Sequence, residues 1–346
     1  MLHLSLLLEF VLFAIIIWIA GIWLTRTTDA IDAKYKLGSA FGGLLILGIA
    51  TSLPEIAVVV SAAIAHHYDI IIGTLLGGIA IQTVVMSLLD ARMKVDSPLT
   101  FSAASLTLVL EGIIVILVTG ASILAIKTPL TVYSRISLSS ALIFGLWIFG
   151  LWLIYRARKG LPWRSEAIHS HPGREHHERQ VVINHPSLKR ASSLKIFIIF
   201  SIAALATLVA GVGIQSSGTQ LANAWGIGIG LFAATFIAFA GALPNISTGF
   251  GSIDLGDYKL AISDIFGGNA FMPALFLVCD IVAGQSILKH ASASDVWFGA
   301  LAIVLTGIYI IGLVVRPKRL IFRMGIDSIL VLSIYILGVT ALAFAH

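Results

Sequence analysis

The chain has 346 residues, of which 58% are hydrophobic and only 11% charged, with a mean hydropathy of +1.00. A soluble domain carries roughly 25% charged residues, so this composition excludes a water-facing surface over most of the chain and leaves lipid as its solvent. The net charge of +5 is small and reads as an orientation signal rather than as affinity for nucleic acid. The single cysteine, Cys279, excludes an internal disulfide framework.

In chain order, the apolar runs predict ten spans of membrane length. They cover about 4–24, 38–65, 69–89, 99–119, 136–156, 194–214, 225–250, 258–284, 295–315 and 325–345. The first is too long for a signal-peptide core and lacks a basic start, so it reads as a retained helix. The second and seventh carry Pro54 and Pro244. Proline removes a backbone donor and clashes with the preceding turn, so both helices are expected to break there. In lipid, the freed carbonyls then need another partner. The one long polar stretch, 157–193, has no helical apolar stripe and reads as a linker. It separates a first repeat (1–156) from a second (194–346). Its five histidines, His169, His171, His176, His177 and His185, come without cysteine or ordered metal-ligand spacing, so the loop reads as a tether.

Loops after odd-numbered spans hold 19 of the 22 Lys and Arg; without the long central loop the balance is still 10 against 3. The positive-inside rule puts these loops in the cytoplasm and both termini outside, with the plasma (inner) membrane the expected location.

A shift of 190 residues lays 50–90 on 240–280 without a gap. It matches Ala50/Ala240, Leu53/Leu243, Pro54/Pro244, Ile56/Ile246, Tyr68/Tyr258, Gly77/Gly267, Gly78/Gly268, Ala80/Ala270 and Asp90/Asp280. Five spans is an odd number, so the two repeats must be oppositely oriented. The predicted fold is an all-α membrane protein of about ten transmembrane helices, built as two inverted five-helix repeats with broken helices at the LP motifs. Inverted repeats of this kind mark secondary transporters, with the substrate site near the midplane between repeats.

Glu55, in GIATSLPEIAVVV, is the most informative residue. A carboxylate deep in an apolar span costs several kcal/mol unless it is protonated, paired or ion-bound, about 2.5–3.5 kcal/mol on insertion scales. Thr51 and Ser52, one turn earlier, offer further oxygens, or hydroxyls bonded back to their own helix. Asn245 holds the matching place in FAGALPNIS; an amide oxygen can ligate a cation but carries no charge. On the glycine-marked helices, Thr74, Gly78 and Gln82 share one stripe and Asp264, Gly268 and Met272 another. Asp264 is therefore either a second site acid or a residue of the cytoplasmic mouth paired with Lys259. Asn269 is a further candidate, and Glu111 is an acid outside both motifs. Asp90 and Asp280 lie near span ends, where water is close. No GxxxxGK[ST] phosphate loop and no nucleophile–base pair is present, so the chain does not read as an enzyme, and no cofactor is implied. The partners are lipid and small inorganic cations, with no role for nucleic acid.

TSLPEI followed by YDIIIGTLLGG resembles the first α-repeat of the sodium/calcium exchanger family, in the calcium:cation antiporter superfamily. GALPNIS and AISDIFGGNAF resemble its second. The family pattern is G-T-S-L-P-E, then G-N-x-x-G-S-N-x-x-N. The resemblance implies a secondary antiporter exchanging calcium or another cation for sodium or protons by alternating access. Its ion ligands would fall at Glu55, Asn245 and Gln82, with Met272 at the fourth place. One family acid is thus an amide here and one distal polar ligand a thioether. A hard dication prefers several oxygens and more than one carboxylate, so a monovalent cation or a proton fits Glu55 as well, unless Asp264 supplies the second charge. The alternative is a non-transporting or channel-like protein on the same fold with a degenerate ion site.

Overall fold

The structure is a computed structural model and describes residues 2–35, 48–128, 131–132, 136–158 and 192–345. The histidine-bearing part of the linker and the start of the second span lie outside the described residues.

Nine helices among these are long and apolar enough to cross a membrane. They are α1 (Leu2–Tyr35), α3 (Tyr68–Ala91), α4 (Leu106–Lys127), α5 (Leu138–Arg158), α6 (Ser193–Trp225), α7 (Ile229–Asp254), α8 (Tyr258–Ala283), α9 (Ala293–Val315) and α10 (Ile326–Ala345). The shorter apolar helix α2 (Leu53–Ile64) makes ten. Local chemistry sets their ends. Ser192 caps α6 by accepting from the Lys195 N–H at 3.2 Å, and Gly226 ends it at φ 67°, a conformation glycine enters without steric cost. Ser292 and Asp295 form a reciprocal capping box at the start of α9.

Burial sorts the helices by layer. Helix α3 is buried almost all round. Helices α1, α6 and α10 turn large apolar side chains outward, among them Leu4, Trp18, Phe197, Ile202, Leu337 and Phe344. An apolar outer belt of this extent is unstable in water and is at home in lipid, so the chain is an integral, multi-pass membrane protein.

The inverted repeat is visible in reciprocal contacts. Gly21 of α1 and Gly211 of α6 are repeat-equivalent. A Cβ on Gly21 would lie 2.6 Å from Pro244 Cβ, and one on Gly211 would lie 3.0 Å from the Pro54 carbonyl oxygen. Each outer helix thus presses a glycine on the LP segment of the opposite repeat. The same exchange occurs deeper: Gln82 packs on Gly268, while its counterpart Met272 packs on Gly78. These crossed pairs put a pseudo-twofold axis between α3 and α8.

The two LP motifs differ locally. Pro54 opens α2 directly after a turn at Ser52, whereas Pro244 sits inside a helical stretch running from Ala238 to Asp254. Departures from α-helical hydrogen bonding among the described spans are a 3-10 turn at Met272–Ala274 of α8 and π turns at Gly73–Gly77 of α3 and Ala233–Ile237 of α7. The two π turns pack face to face, with Gly77 against Ala234 and Gly73 against the Gly230 carbonyl. Such π turns loosen a helix by one residue and recur at functional sites.

Asp90 and Asp280 are fully buried, not solvated as their span-end positions suggest. The Oδ1 of Asp90 accepts the Leu99 N–H at 2.7 Å and its Oδ2 the Gly325 N–H at 2.6 Å. The Oδ1 of Asp280 accepts the Ile287 N–H at 2.8 Å. Each acid ties its own repeat's next loop in place, which offsets part of its lost hydration. Two-stranded hairpins precede the last helix of each repeat, Thr131–Val132 with Ile136–Ser137 before α5 and Leu320–Ile321 with Met324–Gly325 before α10.

Candidate functional site

The start of α2 and the two glycine-marked helices meet at the centre. Glu55 is 1% exposed. Its Oε1 accepts a hydrogen bond from Gln82 Nε2 at 3.1 Å, while its Oε2 is buried without a partner. The wall opposite is the bare Cα of Gly241, where an added Cβ would lie 3.2 Å from Glu55 Cγ, Cδ and Oε1. Gly268 plays the same part for the neighbouring oxygens. A Cβ there would lie 3.3 Å from Gln82 Oε1 and 3.9 Å from Ser52 Oγ. Glycine at these two positions lets side-chain oxygens of one repeat reach the backbone of the other.

Four further buried oxygens, Ser52 Oγ, Gln82 Oε1, Asn245 Oδ1 and Asn269 Oδ1, have no hydrogen-bond partner. A buried polar atom left so costs roughly 1–3 kcal/mol. Two of the four, Gln82 Oε1 and Ser52 Oγ, stand together beside Gly268. The Nδ2 of Asn269 donates to Thr83 Oγ1 at 3.2 Å and to the Ile79 carbonyl at 3.4 Å, which fixes the amide with its oxygen free.

Asp264 lies on α8, 8% exposed, and accepts from Thr248 Oγ1 at 2.7 Å. The ion pairs among the described residues do not include one with Lys259. Thr248 Oγ1 also lies 3.1 Å from the Asn245 carbonyl oxygen, so its single proton is shared between the second LP segment and the second acid. Thr51 is buried and bonds back to the Gly48 carbonyl at 3.2 Å.

The structure therefore brings Glu55, Gln82 and Ser52 together around Gly268 and Gly241, and ties Asp264 to the Asn245 segment through Thr248. Glu111 is elsewhere: it is buried beside a cavity of about 30 Å³ lined by Trp147, Phe266 and Phe271. Among the described residues no three His, Cys, Asp or Glu converge as a metal cluster. Thr248, Gly241 and Thr83 contact the candidate residues Asp264, Glu55 and Asn269 without having been marked by the sequence. Thr248 has Val58 at its repeat-equivalent place, so symmetry did not mark it.

The fold and site define a class: an inverted-repeat membrane protein with a buried acid where its repeats meet. Residues 5–157 match the model of the sodium/calcium exchanger protein family. That match covers somewhat less than half of the chain. The chain is 26% identical over 230 residues to the inner membrane protein YrbG of Escherichia coli (strain K12), a match covering 66% of this chain and 65% of the relative, just under two thirds of its length. It superposes on a solved sodium-calcium exchanger, NCX_Mj, with a TM-score of 0.60 at 18% identity, covering 98% of this chain and 99% of that one. On the H+/Ca2+ exchanger CAX the TM-score is 0.63 at 13% identity, covering 98% and 88%.

Proposed function

We propose that the protein is a secondary active cation antiporter working by alternating access, with Glu55 as its central ion or proton ligand. The observation that carries this reading is the Glu55 carboxylate, sealed between the repeats with one oxygen on Gln82 and the other unpartnered. An ionised carboxylate in that setting is costly, so at each stage it is either protonated or ion-bound. Proton and cation then compete for one group, and alternating exposure of that group to the two sides gives exchange.

Each residue contributes at a stated atom. Glu55 supplies the charge. Gln82 Oε1, Ser52 Oγ and Asn245 Oδ1 supply neutral oxygens, with Thr51 and Asn269 Oδ1 adjacent. Asp264 supplies a second charge when a divalent ion is carried, held in place by Thr248. Gly241 and Gly268 leave room for these groups to approach the opposite repeat. The exchange family of the first half and the fold shared with a sodium-calcium and a proton-calcium exchanger support calcium as cargo, with sodium or protons as the counter-ion. Met272 on Gly78, where the other repeat has an amide on Gly268, favours a site with fewer oxygens than a symmetric one. The basic loops lie in the cytoplasm, with the 157–193 linker among them, and both termini lie outside.

Flux in everted vesicles, measured over a panel of cations with and without imposed sodium and pH gradients, tests the proposal. Uptake of one cation driven by an opposing gradient of another supports it. Flux that merely follows the cation's own gradient indicates a channel, and no flux a non-transporting protein.

A further inference from the structure

A second acid pair lies far along α3 from Glu55, and the inverted repeat separates its structural member from the other. Asp90 and Asp280 occupy equivalent places. Asp90 is approached by the Gly325 backbone and the Ser328 side chain, Asp280 by the Ser137 backbone and the Ser140 side chain. The register that puts Ser137 on Gly325 and Ser140 on Ser328 puts Ser139 on Asp327. The first repeat thus has a neutral residue at that position, and the charge of Asp327 is an addition in the second.

Asp327 is 4% exposed, and both of its carboxylate oxygens lack a hydrogen-bond partner. They press on two bare Cα atoms, Oδ1 on Gly325 and Oδ2 on Gly312. A Cβ on Gly325 would also lie 3.3 Å from Asp90 Oδ2, so the two carboxylates face one another across that glycine. Hydroxyls stand beside them: Ser87 Oγ lies 2.9 Å from Tyr309 OH, which lies 3.2 Å from Ser328 Oγ. The ion pairs among the described residues include neither Asp327 nor Asp90. Arg92 and Lys94 pair with Asp254, Arg316 lies over Phe101 and Arg323 donates to the Met93 carbonyl. Asp327 does lie in the first turn of α10, where a helix end favours an anion. No N–H there reaches its oxygens, however, and the Gly325 N–H serves Asp90.

We propose that Asp327 and Asp90 hold a hard cation at this end of the molecule, in a site separate from the one around Glu55. Two facing, desolvated carboxylates repel, and carboxylate and hydroxyl oxygens are the ligands that sodium and calcium take. The site would tie α10 and the second hairpin to the end of α3 whenever it is filled.

Thermal unfolding of the purified full-length protein tests this. Sodium and calcium chloride are titrated separately against choline chloride at constant ionic strength and at two pH values, in wild type and in a Glu55→Gln/Asp264→Asn background that silences the central acids. The expected result is a saturable rise in Tm with sodium or calcium that persists in that background and is lost in both Asp327→Ser and the isosteric Asp327→Asn. Asp280→Asn should lower Tm without changing the ion response. A rise that survives both Asp327 substitutions overturns the proposal. So does a background protein whose Tm answers to pH alone, since the pair then shares a proton.

Discussion

Gly241→Ala is a one-atom test of the site's geometry. The new Cβ would lie 3.2 Å from three atoms of Glu55, where carbon contacts prefer about 3.5–4.0 Å. The overlap of about 0.3–0.8 Å must be relieved by moving the carboxylate. Its bond to Gln82, at 3.1 Å, tolerates only about 0.4 Å more before it ceases to be a hydrogen bond. Losing a hydrogen bond to a charged group costs roughly 1.5–3 kcal/mol, which is about a ten- to hundredfold loss in apparent cation affinity. The assay is the cation dependence of exchange in proteoliposomes. Gly251→Ala on the same helix is the control: no atom lies within 4 Å of its added Cβ, so flux should be unchanged and the helix slightly stabilised, by about 0.5–1 kcal/mol. Wild-type affinity in Gly241→Ala would refute the placement of Glu55 against α7.

Asp264→Asn should cripple exchange of a divalent ion and Asn245→Ala should be milder; a silent Asp264→Asn in the same flux assay would confine the site to Glu55. Met272→Gln places a second amide on Gly78, as Gln82 is placed on Gly268, and should tighten cation affinity; unchanged or weaker affinity would show that the distal pair does not line the site. A cysteine introduced near Gly173 should be labelled by impermeant reagents only from the cytoplasmic side, and labelling from outside intact cells would overturn the orientation drawn from the basic loops.

Much of the architecture was legible because lipid imposes a simple code. Apolar length gave the spans, and the shared LP and GG positions gave the inverted repeat. Pro54 and Pro244 marked equivalent places, but not their different outcomes, since whether a helix stops at proline or runs through it depends on what packs there. The π turns were invisible: they arise where Gly73 and Gly77 let α3 close on Ala234, a contact between helices far apart in sequence. Glu55 and Gln82 stood out as polar groups in apolar runs, and the structure brings them into contact. Asp90 and Asp280 were misjudged as near water because position along a span does not report depth. Their burial depends on backbone N–H groups from loops 7 to 9 residues on, and for Asp90 also from Gly325. The contact of Asp264 with Thr248 has no signal in the sequence, because the repeat has Val58 at the place of Thr248.

The central claim is that Glu55 couples the two fluxes. Glu55→Gln keeps shape and hydrogen-bonding capacity and deletes only the charge, and a neutral side chain is cheaper in lipid, so the protein should express and fold. Gradient-driven cation exchange by the purified, reconstituted variant is the most direct measurement. The account predicts that exchange is abolished in Glu55→Gln and partly retained, with altered ion preference, in Glu55→Asp. Normal exchange in Glu55→Gln would contradict it.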